Sequence, residues 1–460
     1  MDRSKILGEE KIGRLLLKFS IPAVIGMLIS ALYNIVDRIF IGRGVGSLGI
    51  AGVTIGFPIV TIIMSFAILI SVGASALISI KLGEKDKQGA ESILGNATAL
   101  FFIASFVITT IGLVATDPLL RLFGASNTTL PYAKAYMQII LCGTIFQMIE
   151  FGMNSFIRAE GNPKVAMITM LIGTVLNIIL DPLFIFVFKM GIKGAAIATV
   201  ISQAVAATWV LRYYLRGHSS LKLRTTNLKL DPGIVKRIAA IGSAPFISQF
   251  AASATATVMN NSTLIYGGDT GVSAMGIIQI MSLLLLMPIL GINQGIQPII
   301  SYNYGAKKYL RVKETLKLAI TVAAVWGALG SLVIFMRAEQ LISVFNKTDL
   351  ELIQMGSLGI KIYLSLFFLA GVQIVCSGYF QAVGKPKPAL FLSVLRQVVL
   401  LIPLAIILPR FFKLRGIWFS GPLSDSLAFL ITIVWILREL KLLEKQHGAN
   451  KDLQKAETII

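Results

Sequence analysis

Apolar residues along this chain gather in blocks of roughly 20, the length at which a helix crosses about 30 Å of hydrocarbon. The pattern predicts twelve spans, near residues 15–40, 52–80, 92–116, 132–157, 165–188, 191–212, 238–265, 272–301, 316–336, 352–380, 388–409 and 416–437. Alternation of strand length is absent, which argues against an outer-membrane barrel. The longest blocks must tilt, kink or protrude. Pro22, Pro58, Pro245, Pro288 and Pro403 lie in or near spans and break the local hydrogen-bond ladder. The first block is too long for a signal-peptide core and has no small-residue cleavage site after it, so it is expected to remain as a span.

A repeat organises the blocks. Ser20-Ile21-Pro22 recurs as Gly242-Ser243-Ala244-Pro245, with the prolines 223 residues apart. Gly83 and Lys85 recur as Gly305 and Lys307 at an offset of 222, and Leu119–Phe123 recurs as Leu341–Phe345 at 222. Gly161, Pro163 and Lys164 recur as Gly384, Pro386 and Lys387 at 223, and Gly194 pairs with Gly416 at 222. Each half therefore holds six spans, and both halves start on the same side of the membrane. The expected fold is an all-α membrane protein: twelve transmembrane helices in two parallel six-helix lobes related by a pseudo-two-fold axis along the membrane normal. The expected divisions are 1–212 for the first lobe, 213–237 for an interlobe link, 238–440 for the second lobe and 441–460 for a tail. That tail reads as a surface helix or a disordered segment interrupted at Gly448-Ala449-Asn450.

Charge fixes an orientation. Gaps on one side, with the termini and the link, hold 29 Lys and Arg, against ten in the opposite gaps. The positive-inside rule then places both termini in the cytoplasm, in an inner (plasma) membrane. The 213–237 cations would meet anionic headgroups, and His218 within them reads as an ordinary surface histidine. The net charge of +20 is scattered through these gaps instead of forming one basic face, which excludes nucleic-acid binding. Only 14% of residues are charged and the mean hydropathy is +0.80, far outside the range of soluble domains. Cys142 and Cys376 read as small buried hydrophobes, with neither a disulfide framework nor a structural metal site.

Carboxylates inside spans are costly unless neutralised, paired or opened to water. Asp37 and Asp181 fall at similar outer-half depths, with Asn34 and Asn177 a turn away on their helices. They form a candidate site for a proton or for Na⁺, which oxygen ligands suit. Asp37 could instead pair with Arg38 or Arg43, and Asp181 could tie up the Asp181-Pro182 step. Glu150 lies near mid-depth, as a path residue or paired with Gln147 or Asn154. The second half offers amides in place of matching carboxylates: Gln249, Asn260, Asn261, Gln279, Asn293, Gln294, Gln297 and Gln373. Amides cannot carry protons by titration, so coupling is expected in the first half. Phe57, Met64, Phe151, Met153, Met259, Met281 and Met287 could form an adaptable apolar wall. Gly161-Asn162-Pro163 and Gly384-Lys385-Pro386 read as tight turns or parts of an inner gate.

Three segments carry a likeness: Asn34-Ile-Val-Asp37-Arg-Ile-Phe-Ile-Gly42, Asn177-Ile-Ile-Leu-Asp181-Pro182 and Arg158-Ala-Glu-Gly161-Asn-Pro163-Lys164. Together they resemble signatures of the multidrug and toxic compound extrusion (MATE) family, in the branch with DinF-like and MepA-like pumps. The resemblance spans residues 10–440. It implies two lobes around a central cavity, alternating access, and export of lipophilic or cationic compounds driven by H⁺ or Na⁺, without a cofactor. By that likeness Asp37 and Asp181 match the coupling carboxylates and Asn177 the polar partner. Some members also place carboxylates in second-lobe helices, where this chain reads as amide only.

The expected function is a cation-coupled multidrug antiporter, monomeric, with no catalytic residues. A substrate or proton path could run past Glu150, Gln147, Asn154, Met153, Phe151, Asn260, Gln279 and Met287. The rival is a flippase of lipids or lipid-linked saccharides, which would favour arginines at mid-depth for phosphate. A membrane-embedded enzyme is excluded by the lack of any His in a span and of an HExxH arrangement.

Overall fold

The computed structural model describes residues 4–217, 219–345 and 347–459; His218 lies outside them, as do the side chains of Asn34 and of residues 449–459. The helices of the first half are α1 (Lys5–Glu9), α2 (Ile12–Gly44), α3 (Ser47–Gly83), α4 (Lys87–Val114), α5 (Thr116–Leu122), α6 (Leu130–Cys142), α7 (Thr144–Ala159), α8 (Pro163–Pro182) and α9 (Gly191–Leu215). Those of the second half are α10 (Pro232–Gly305), α11 (Tyr309–Ser343), α12 (Leu350–Tyr363), α13 (Phe367–Ala382), α14 (Pro386–Val394) and α15 (Ile402–Ile459). A π-helical turn, Leu183–Val187, extends α8, and another, Leu395–Leu401, joins α14 to α15.

Among the described residues, eight helical stretches are long and apolar enough to cross a membrane, and two bent pairs bring the number to ten. Two of the eight are each two helices in one: α10 turns at Gly268 (φ 59°) and α15 turns at Lys413 (φ 50°). Twelve spans result, as the hydropathy pattern predicts. The fourth and tenth are not straight, however: α6 meets α7 at 55° and α12 meets α13 at 47°. Neither break carries a proline. The tail also differs from expectation, because α15 runs through Gly448 to Ile459 without interruption. Cys142 is exposed at the end of α6, contrary to the reading of both cysteines as buried, while Cys376 is buried.

Two compact units emerge. One gathers Pro22–Gly242 with α1, and the other gathers Glu10–Ile21 with Ser243–Ile460. The sequence repeat reappears in backbone geometry within each. Lys85 (φ 62°) and Lys307 (φ 56°) both adopt the left-handed conformation, which few non-glycine residues accept. Gly161 (φ 95°) and Gly384 (φ 71°) end the equivalent helices α7 and α13. The hydroxyl of Ser79 donates to the Ala159 carbonyl at 3.0 Å, and that of Ser301 donates to the Ala382 carbonyl at 2.7 Å.

The broken spans follow the same logic. A carbonyl freed at a helix break inside hydrocarbon must find another donor. Thr109 of α4 donates to the Leu141 carbonyl at 2.7 Å, and Ser331 of α11 donates to the Leu364 carbonyl at 2.7 Å. A neighbouring helix thus supplies the donor that the break removes.

The link after α9 is bound to the first unit, not loose. The buried Glu91 carboxylate accepts from the Lys222 backbone N–H at 3.1 Å and from Arg224 Nε at 2.9 Å. Glu160, also buried, accepts from the hydroxyls of Ser219 and Ser220 at 2.6 and 3.0 Å. Asn96 Oδ1 accepts from the Asp231 N–H at 2.7 Å, and Leu221 is fully buried.

The bonds at the breaks carry a measurable share of stability. Thr109→Val should cost about 1–3 kcal/mol, by removing the hydroxyl that covers the Leu141 carbonyl, and Ser331→Ala should cost less, because the Leu364 carbonyl keeps the Phe367 N–H at 3.4 Å. The check is thermal unfolding in detergent, where Thr109→Ser should behave as the parent and an unchanged melting point for Thr109→Val would refute the account. At the α3–α4 turn, the Gly89 N–H and then the Lys81 ammonium hold the Asp86 carboxyl below the usual carboxylate range. Its capping bond should therefore persist above about pH 4 and fade only as pH falls further, read by amide exchange at Gly89.

Candidate functional site

The site of the first unit grows from four helices. Helix α2 places Tyr33 and Asp37 one turn apart, and α8 does the same for Asn177 and Asp181. Helix α9 adds Thr199, and α6 adds Tyr136. Asp181 is sealed from solvent, and Asp37 is only 7% exposed. The two carboxyl groups lie within hydrogen-bonding reach of each other. Two bare negative charges that close repel strongly in a medium of low dielectric constant. A proton or a metal cation between them removes the repulsion.

Asn177 fixes one side of the pair. With its Nδ2 turned to Asp181, it donates to Oδ2 at 2.8 Å while its Oδ1 accepts from the Thr199 hydroxyl at 3.3 Å. The opposite amide orientation, with Nδ2 on Thr199, would set two oxygens face to face, so the first is the physical one. Tyr33 and Tyr136 both sit in the field of the two aspartates. Asp37 Oδ1 is buried and accepts no hydrogen bond among the described residues. Arg38 acts on Asp37 only through its field, while Asp181 is the carboxyl it meets. The arrangement is a compact oxygen set able to hold one proton or one small hard cation.

Glu150 stands apart from this cluster. Its Oε1 would lie 2.6 Å from a Cβ placed on Gly173, so the missing side chain makes room for the carboxylate against α8. Gly173 is one turn before Asn177 and two before Asp181, about 12 Å along the helix from the aspartate. Among the described residues, burial is the one influence resolved on Glu150, and neither Gln147 nor Asn154 acts on it.

The remaining path residues scatter. Met153 and Met259 are sealed in packing and line no open surface, while Phe151 and Met287 are half-buried and Phe57 is half-exposed. Gln279 Nε2 donates to Asn260 Oδ1 at 3.3 Å. A cleft of about 500 Å³ lies elsewhere, between the start of α4 and the link, lined by Lys87, Gln88, Glu91, Lys222, Arg224, Thr226 and Asn227. It contains none of the carboxylates of the spans.

One expectation for the second half is overturned. Asp425 of α15 is a buried carboxylate inside the last span, where the sequence reading expects only amides. Its partner is Arg396, in the π-helical turn Leu395–Leu401, with Nε 2.5 Å from Asp425 Oδ1. Arg396 is ten residues past Pro386, about 15 Å into the span and so near mid-depth. It is a mid-depth arginine of the kind that the rival flippase would favour, here paired with a carboxylate. The sequence signal was available, since both residues interrupt apolar blocks. Tyr33, Tyr136 and Thr199 carried no such signal, because hydroxyl-bearing residues are common in spans.

The MatE family model matches residues 22–183 and again 245–407. The two matches reproduce the repeat offset. Multidrug export protein MepA of Staphylococcus haemolyticus (strain JCSC1435) is 29% identical over 439 residues, covering 95% of this chain and 96% of the relative. MepA of Staphylococcus saprophyticus is 28% identical over 432 residues, covering 94% and 95%. The solved structure of the MATE multidrug transporter DinF-BH, in complex with a small-molecule ligand, is 43% identical, with a TM-score of 0.86 over 94% of this chain and 96% of that one. A MATE crystal structure in the bent conformation is 25% identical, with a TM-score of 0.91 over 97% and 99%. With two copies of the family pattern spanning most of its length, twelve apolar helices in two six-helix units, and relatives matched end to end, the chain belongs to the MatE family, whose members are membrane transporters and not enzymes.

Proposed function

We propose that this chain is a cation-coupled exporter of lipophilic or cationic small molecules, working by alternating access. The observation that carries the reading is the buried Asp37–Asp181 carboxyl pair, which no basic side chain among the described residues bonds and which Asn177 and Thr199 hold in place. One or two cations, H⁺ or Na⁺, bind near this pair from the outside and favour release of substrate outward. Passage of each cation inward resets the cycle. One charge moving down 100 mV supplies about 2.3 kcal/mol, roughly a fifty-fold concentration ratio. The multidrug character follows from the relatives, one named a multidrug export protein and another a multidrug transporter solved with a small molecule bound. On this reading the protein is a monomer in the plasma membrane with both termini cytoplasmic. Its lobes are residues 1–212 and 238–440, joined by residues 213–237, with the 441–460 tail inside the cell. The rival lipid flippase gains little from Arg396, because its guanidinium is already committed to Asp425.

Export of a lipophilic cationic dye from proteoliposomes, with a pH gradient and a Na⁺ gradient imposed separately, tests the reading. One of the two gradients should drive export, and failure of both would favour the flippase. Asp37→Asn should reach the membrane in normal amount yet lose gradient-driven export. A wild-type rate for Asp37→Asn would remove the coupling role. Thr199→Val takes away the hydroxyl that, with the Thr199 backbone N–H, orients Asn177. It should raise the concentration of driving cation needed for half-maximal export by about 10–100-fold, as loss of an outer-shell ligand partner does. The maximal rate should change far less, and an unchanged cation dependence would count against the site.

A further inference from the structure

The second unit buries a charge pair that the cation cycle does not use. Asp425 is 2% exposed, and among the described residues the groups acting on it are the Arg396 guanidinium and, at longer range, the Tyr363 phenol of α12. The Tyr363 ring packs over Gly421, one turn before Asp425. Arg396 sits on a π-helical turn, a local irregularity common at functional positions. It meets the Asp425 carboxylate through Nε.

The repeat sharpens the contrast. At an offset of 223, Arg396 and Gln373 correspond to Gly173 and Glu150; at 222, Asp425 corresponds to Gln203. The first unit thus has a carboxylate, a glycine and an amide in this layer, and the second has an amide, an arginine and a carboxylate. A carboxylate in hydrocarbon needs a proton, a metal cation or a fixed positive side chain. Asp37 and Asp181 take the first or second solution, and Asp425 takes the third.

We propose that Arg396, Asp425 and Tyr363 form a latent cation site in the second unit, in which the Arg396 guanidinium stands where a mobile cation would bind. The resident charge keeps this carboxylate out of the transport cycle, so that coupling runs through the first unit alone. An oxygen pair beside an aromatic face accepts H⁺ or a small cation once the guanidinium is gone. The assignment of coupling to the first unit rests on the function proposed above; the latent site itself does not.

Arg396→Gln tests it in the full-length protein. Infrared difference spectra between R396Q and the double variant R396Q/D425N isolate Asp425, whatever happens at Asp37. The expected result is a protonated-carboxyl band, or a Na⁺-dependent carboxylate shift, in R396Q that is absent from the wild type, from Arg396→Lys and from the double variant. R396Q should lose thermal stability at neutral pH and regain it in acid or in Na⁺, and the double variant should need neither. Folded R396Q with the wild-type spectrum overturns the proposal. So does a stability deficit that neither acid nor Na⁺ relieves. Gradient-driven export by Asp37→Asn would sink the coupling assignment while leaving this spectral result intact.

Discussion

Hydrocarbon offers no water to an unpaired polar group, and that single constraint orders the structure. A stranded backbone carbonyl or carboxylate costs several kcal/mol there, against a total stability of the order of 10 kcal/mol. The chain answers in three ways. Hydroxyls of Thr109 and Ser331 cover carbonyls at helix breaks. Arg396 covers Asp425. Asp37 and Asp181 are left to each other, with Asn177 as their oriented neighbour. Only the last answer leaves a charge that must be met from outside the protein, and the proposed ion coupling rests on it.

Much of this was legible in the residues. Twelve spans follow from block length, and the duplication follows from turn residues at a constant offset. Turns must keep their glycines, prolines and left-handed positions, so Gly161 and Gly384 stay recognisable while the apolar residues between them drift. Asp37 and Asp181 stand out because a carboxylate in an apolar block is rare. The bends at 142–144 and 364–366 were illegible, since the hydroxyl that covers each break lies on another helix, 32 or 33 residues earlier. Tyr33, Tyr136 and Thr199 were hidden for the same reason, as only the packing of α2, α6, α8 and α9 gives them a role.

The two units share a backbone plan and differ in how they distribute charge. Lys85 and Lys307 repeat a strained turn, and Ser79 and Ser301 repeat an interhelical bond. Glu150 against Gly173 in one unit is answered by Gln373 and Arg396 in the other. Repetition preserves what holds a helix bundle together, whereas a charge at mid-depth is free to be reassigned.

The boundary between the units falls in neither of the places where a cut would be convenient. Residues 10–21 belong with the second unit and Pro22 onward with the first; Pro232–Gly242 belongs with the first and Ser243 onward with the second. Both changeovers sit at the repeated proline-bearing motif, at the start of each half. Along the chain, the halves are therefore interleaved in the manner of exchanged arms. Severing the chain anywhere in 216–231 would yield two fragments, each lacking the opening turns that complete its own bundle. Each half of the chain thus contributes its opening turns to the other unit.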